Sequence, residues 1–187
     1  MASHHPSPIQ ATQEWLQKVV IAWNLCPFAK READRQTVRF SLSEAVSEEE
    51  LLVDLQTELL FLESEPSTET SLLILSRFLQ DFQDYNQFLD LADDLIQELE
   101  LEGIYQIASF HPRYQFQGTK VEDSENYTNR SPYPVLHLLR EQSLEKVIDS
   151  YPDIASIPTR NIELMKKLGT DELRETLKSC YLSDIDH

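Results

Sequence analysis

"NYTNRSPYPVLHLLRE" (residues 126–141) decides how the last third of the chain is built. It sets asparagines, a threonine, an arginine and two prolines ahead of an apolar run. Pro134 suits the first position of a helix, where its missing N–H would lack a partner anyway. The spacing therefore predicts a helix from Pro134 onward, with Val135, Leu136, Leu138 and Leu139 as its apolar set. On that helix His137, Arg140 and Glu141 stand at i, i+3 and i+4 and share one face. The bland alternative for this face is a solvated polar stripe. The TNRSPY loop would then lead into a helix N-terminus, whose free N–H groups favour an anion. Arg130 adds a planar fork suited to carboxylate or phosphate.

Working outward, three stretches read as strands. TVRFSL (37–42) alternates and is rich in β-formers, SLLILS (71–76) is a continuous apolar run suited to a strand buried on both faces, and IYQIASF (104–110) follows. RYQFQGT (113–119) is a candidate edge strand. Between them lie helices. Trp15, Leu16, Val19, Val20 and Trp23 recur at helical spacing and should stop near Asn24, because Pro27 cannot continue a helix unbroken. In VSEEELL, Ser47 is the cap, Glu50 its capping-box partner, and Val46 with Leu51 the hydrophobic staple. Asp81 caps the next helix, with Gly103 placed at its C′ position. Strands alternating with helices predict an α/β fold: a small, mostly parallel sheet of three or four strands, helical crossovers and a helical C-terminal part. One such domain spans residues 9–180, between flexible tails at 1–8 and 181–187.

The chain has 187 residues and a net charge of −17, which disfavours nucleic acid as a partner because phosphate neutralisation needs clustered Lys and Arg. The charge is localised: residues 41–104 hold 17 acids and one base, whereas residues 18–40 carry a net +3. Only three glycines make a glycine-cradled phosphate site nearly unattainable, and no nucleotide-binding motif is present. Two cysteines 154 positions apart form no disulfide framework, so a reducing, cytoplasmic setting is expected. The opening residues do not resemble a secretory leader, and VVIAWNLC is far shorter than a membrane span of roughly 20 residues.

Ligands of open parallel sheets bind beyond the carboxyl ends of the strands. By that rule the second strand delivers Arg77 and the third delivers His111-Pro112-Arg113. His111 is then a base or ligand near neutrality, set against a histidine that merely bonds a loop carbonyl. Cys26 follows Asn24 and precedes Pro27; as N-cap of a short helix through residue 33 it would have a lowered thiol pKa, with Lys30 and Arg31 helping to hold a thiolate. The alternative is a small buried filler. His111, His137, Cys26 and Asp123 or Glu125 are residue types that suit zinc or iron, but their spacing matches no metal motif, so no metal ligand is assigned and a bound metal is not the favoured reading.

NLCPFA (24–29), DFQDYNQFLDLAD (81–93), EGIYQIASFHPRYQFQGT (102–119) and NYTNRSPYPVLHLLRE together resemble a family known as a domain of unknown function, over roughly residues 12–150. The resemblance implies that the family's motif residues correspond to Cys26, Asp84, Tyr85, Asn86, His111, Gly118, Asn129, Arg130, Tyr133, His137, Arg140 and Glu141. Glu122 departs from it, standing where an aspartate is expected. The expectation is a small-molecule enzyme acting on an anionic metabolite, a carboxylate or a phosphate. His111, His137 and Cys26 would be catalytic, and Arg130, Asn129, Arg113, Arg77, Arg140 and Tyr133 would bind substrate. The alternative is a non-catalytic binding or assembly protein that uses the acidic segment as its recognition surface.

Overall fold

The protein's structure, a computed structural model, describes residues 6–150 and 153–181. Of the tails assigned to residues 1–8 and 181–187, residues 1–5 and 182–187 lie outside the described residues. Four strands form one sheet: β1 (Val38–Ser43), β2 (Thr70–Leu75), β3 (Tyr105–Phe110) and β4 (Val135–Arg140), in the order β1-β2-β4-β3. β1 pairs with β2 in parallel, and β4 pairs antiparallel with both β2 and β3. The α/β class is as expected, but a mostly parallel sheet is not: one pairing of three is parallel. β1, β2 and β3 do run the same way, because β2 and β3 are both antiparallel to the strand between them.

The stretch read as a helix from Pro134 is therefore that inserted strand. The physical cause is twofold. A residue before proline is steered to extended backbone, so Ser131 and Tyr133 bring the chain in straight. The slot between β2 and β3 then rewards a run that is apolar on both faces, and Val135, Leu136 and Leu138 are fully enclosed there. Pairing on both sides outweighs leucine's modest helix preference. RYQFQGT is not a strand either; it is a turn-rich loop whose Phe116 N–H and Thr119 hydroxyl both donate to the buried Asn126 side chain at 3.0 and 2.9 Å.

The helices carry clear local signals. The first, α1 (Pro8–Trp15), has a capping box between Ser7 and Gln10 and continues as a π-helical turn, Leu16–Ile21, before Asn24 takes φ 51 and stops it. A short α2 (Ala29–Asp34) precedes β1. α3 (Glu48–Ser64) is capped by Ser47, although Glu50 reaches the Val46 N–H rather than that of Ser47. α4 (Phe82–Glu98) is capped by Asp81, and its left-handed exit is taken by Glu100 (φ 59), with Gly103 turning the chain next. After β4 come α5 (Glu141–Ser150), α6 (Ile157–Leu168) and α7 (Thr170–Ser179).

Strand alternation splits the core into two layers. Leu73, Leu75, Leu136 and Leu138 face α3 and α4, packing on Leu55, Leu59, Tyr85 and Phe88. Leu72, Ile74 and Val135 face the other way, onto Trp15, Val19, Met165 and Leu173. Within the first layer a carboxylate, Glu58, is buried; it accepts from Arg39 Nε and Nη2 and from the hydroxyls of Ser41 and Ser71 at 2.7–3.1 Å. Among the described residues no helix is long and apolar enough to cross a membrane.

Candidate functional site

β4 presents its side chains alternately, and the strand reading reassigns them. Leu136, Leu138 and Arg140 point toward α3 and α4, whereas Val135, His137 and Leu139 point toward α1. On that second face the sheet and the N-terminal helical segment enclose a cavity of about 190 Å³. Trp15, Leu16, Val20, Phe28, Leu72 and Phe110 give it apolar walls; Cys26, Thr70 and His137 also border it, and almost none of its surface is polar. Leu16 and Val20 belong to the π-helical turn, a backbone form often found at functional sites. The wall is braced by Trp15, whose indole N–H donates to the Arg130 carbonyl at 2.9 Å and whose ring meets Phe110 edge-on at 5.1 Å.

His137 sits beside Ala108 and Leu72 in the sheet register. Its Nε2 lies 2.7 Å from the Thr70 hydroxyl, which donates to the Leu138 carbonyl at 2.6 Å. Burial pushes the imidazole's pKa down to about 4, so it is neutral at pH 7. Cys26 borders the same cavity, but not as a helix cap. α2 begins at Ala29 with Phe28 as its N-cap. Burial pushes the Cys26 thiol up, and N–H groups of Phe28 and Ala29 only partly offset this. The expectation of a lowered thiol pKa is corrected accordingly.

The other expected site residues are placed elsewhere. His111 is fully enclosed: its Nδ1 accepts the Arg113 N–H at 3.0 Å and its Nε2 lies 3.2 Å from the Leu79 carbonyl. With both nitrogens held by backbone it has no open face for a ligand, which is the loop-bonding alternative. Arg130 gives its guanidinium to the carbonyls of Tyr114 and Val121 and lies over the Tyr127 ring. Asn129 donates to the Ser109 carbonyl. Arg113 is exposed and bonds the Gln80 carbonyl and Asp81. Arg140 also borders the cavity, but its guanidinium is drawn to the far side of the sheet by Tyr105 OH and the carbonyls of Leu62 and Thr68. Tyr133 packs against Tyr181. Arg77 sits beyond the carboxyl end of β2 in a second, open concavity shared with Glu48 and Asp84. The structure thus brings together Cys26 and His137 and separates both from His111, Arg130 and Arg77.

Sequence reasoning missed Thr70 as a site residue and placed Arg31 as a support for a Cys26 thiolate rather than as a ligand contact. Arg31 borders the cavity and is half-exposed; its Nε pairs with Glu32, and its two Nη groups have no partner among the described residues. No local pattern marks Thr70, since its partner is 67 positions away and on a strand read as a helix. Among the described residues no group of three or more His, Cys, Asp or Glu side chains converges as a metal centre.

A family model described as a protein of unknown function (DUF1415) matches residues 7–175. The chain belongs to the DUF1415 family. No curated protein and no solved structure matches it significantly. The match covers every strand of the sheet and both walls of the cavity, so in this DUF1415 chain the site is built wholly within the family's span.

The two buried histidines make a pH prediction. Each has a folded pKa near 4 against an ordinary 6.5, so the unfolded chain binds more protons between those values. Their stability contribution is complete above about pH 6.5 and is lost as pH falls toward 4, by up to about 3 kcal/mol per histidine. Urea unfolding at pH 7.0 and pH 5.0 should show this loss, and a flat profile over that window would contradict it.

Proposed function

We propose that the protein is a small-molecule enzyme whose substrate, an organic anion with a compact apolar body, enters the cavity between the N-terminal helical segment and the sheet. The observation that supports this most directly is that Cys26 and His137, from segments far apart in the chain, border one enclosed apolar space. Pockets of this kind, apolar with a few polar groups, are the usual form of a small-molecule site. Arg31, open at its Nη groups, is placed to meet a carboxylate or phosphate at the edge. Buried His137 begins as a weak base. An anion brought into the same low-dielectric space raises its pKa, the direction that proton transfer near neutrality requires. His111, Arg130, Asn129, Arg140 and Tyr133 take the supporting part, fixing the loops and strands that form the walls. Nucleic acid and membrane remain outside this proposal, and a cytoplasmic setting is part of it.

Phenylacetate, a carboxylate on a single ring, is the probe for this reading. It should raise the melting temperature in a saturable way. Ala108 lines the cavity, so Ala108→Phe should fill it and abolish the shift, and Arg31→Ala should weaken binding about tenfold. An equal shift in Ala108→Phe, or none in the wild type, would overturn the reading.

A second reading, a non-catalytic assembly protein, is favoured by one surface. α4 carries Asp90, Asp93 and Asp94 together, and burial with repulsion from its neighbours raises the Asp93 pKa. Exposed Val53 and Leu60 on α3 and Leu91 on α4 add apolar area to these acidic helices. Under this reading Asp93→Asn with Asp94→Asn would change self-association or partner capture and leave phenylacetate binding intact.

A further inference from the structure

The hydrogen-bond chain behind His137 settles which ring nitrogen carries the proton. The Thr70 hydroxyl has one hydrogen and two neighbours that accept: the Leu138 carbonyl at 2.6 Å and His137 Nε2 at 2.7 Å. A carbonyl can only accept, so Thr70 donates to Leu138. Its oxygen then faces Nε2 with a lone pair, and Nε2 must supply a hydrogen. The reverse assignment leaves two oxygens 2.6 Å apart with no proton between them, which is repulsive. With Nε2 protonated and the ring neutral, Nδ1 is a bare acceptor.

Nδ1 has no hydrogen-bond partner among the described residues. None of the fully buried side-chain nitrogens or oxygens described lacks a partner. Nδ1 therefore keeps a small accessible surface, and the space that His137 borders is the apolar cavity. A neutral acceptor in such surroundings discriminates sharply. It rewards a hydroxyl or N–H, gains nothing from a methyl or ether oxygen, and repels an anionic oxygen that has no proton to share.

We propose that the ligand's buried end is a hydrogen-bond donor received by His137 Nδ1, and that Thr70 is the positioning residue that holds the imidazole in the required tautomer. The ligand class follows from the two ends of the cavity: an apolar body with a hydroxyl or N–H inside and an anionic group outside, toward Arg31. Glu69 and Glu32 also border the cavity, and Arg140 there has its guanidinium bonded to Tyr105 and to the Leu62 and Thr68 carbonyls, so a second anionic group is disfavoured. This proposal rests on the cavity being the ligand site. Its first test, however, needs no ligand.

Long-range ¹H–¹⁵N spectra of the histidines in the free protein at pH 7 read the tautomer directly. His137 should show a protonated Nε2 and a bare Nδ1. Thr70→Ser should keep that signature, and Thr70→Val should mix the tautomers. A proton on Nδ1 in the wild type, or no change in Thr70→Val, overturns the assignment even if the cavity binds ligand well. The second test compares 4-hydroxyphenylacetate with 4-methoxyphenylacetate. The hydroxyl compound should bind the wild type about five- to tenfold more tightly, and Thr70→Val should erase that preference. Equal affinities in the wild type overturn the donor-end assignment. Loss of all three ligands with the tautomer intact would instead overturn the cavity as the site.

Discussion

His111→Ala should destabilise the fold by about 4 kcal/mol rather than silence a site. The substitution removes the acceptor of the half-buried Arg113 N–H and the partner of the Leu79 carbonyl, which is left in a buried region. It also opens a void between Phe82 and Tyr85, whose rings lie 5.3 and 5.1 Å from the imidazole. The Leu79 carbonyl matters more than an ordinary one. Leu79 holds φ 54, a left-handed conformation that is unfavourable for leucine, and the histidine fixes it there. Chemical unfolding followed by tryptophan fluorescence measures the loss. Unchanged stability with abolished phenylacetate binding is the result expected of a ligand-contacting residue, and it would contradict this placement.

Glu58→Ala is expected to cost about 3–5 kcal/mol. Burial pushes the Glu58 carboxyl up, but bonds from Arg39, Ser71 and Ser41 outweigh it and hold the pKa below the usual range. Removing the carboxylate leaves Ser71, fully enclosed, without its partner and strips Arg39 of a two-pronged contact. Glu58→Gln keeps part of this network and should cost less than half as much. Thermal unfolding of the two variants makes the comparison. Equal and small losses in both would show that the network is solvent-screened and carries little.

The residues show where a sequence speaks for itself. Ser47, Asp81 and Pro27 act on their own neighbours, so the helix ends they mark were legible. SLLILS is apolar on both faces and could only be a central strand, which β2 is. VLHLLR is different. Its strand state is imposed by β2 and β3, segments distant in sequence, and nothing local opposes a helix once Pro134 is taken as its start. That one misreading moved Arg140 onto the face of His137 and hid Thr70. Cys26 failed for a shorter-range reason: the helix begins three residues later, so burial rather than the helix end governs its thiol. The specialised side chains of TNRSPY invite a ligand reading, but Arg130 and Asn129 give their donors to the carbonyls of Tyr114, Val121 and Ser109.

The most direct test of the cavity as the ligand site is a titration of ¹⁵N-labelled protein with phenylacetate, followed residue by residue. The largest shifts should fall on Cys26, Ala29, Leu72, Ala108 and His137, which border one space from four separate segments. Shifts centred instead on Arg77 and Asp84, on the acidic faces of α3 and α4, or on no residue at saturating ligand would contradict the account.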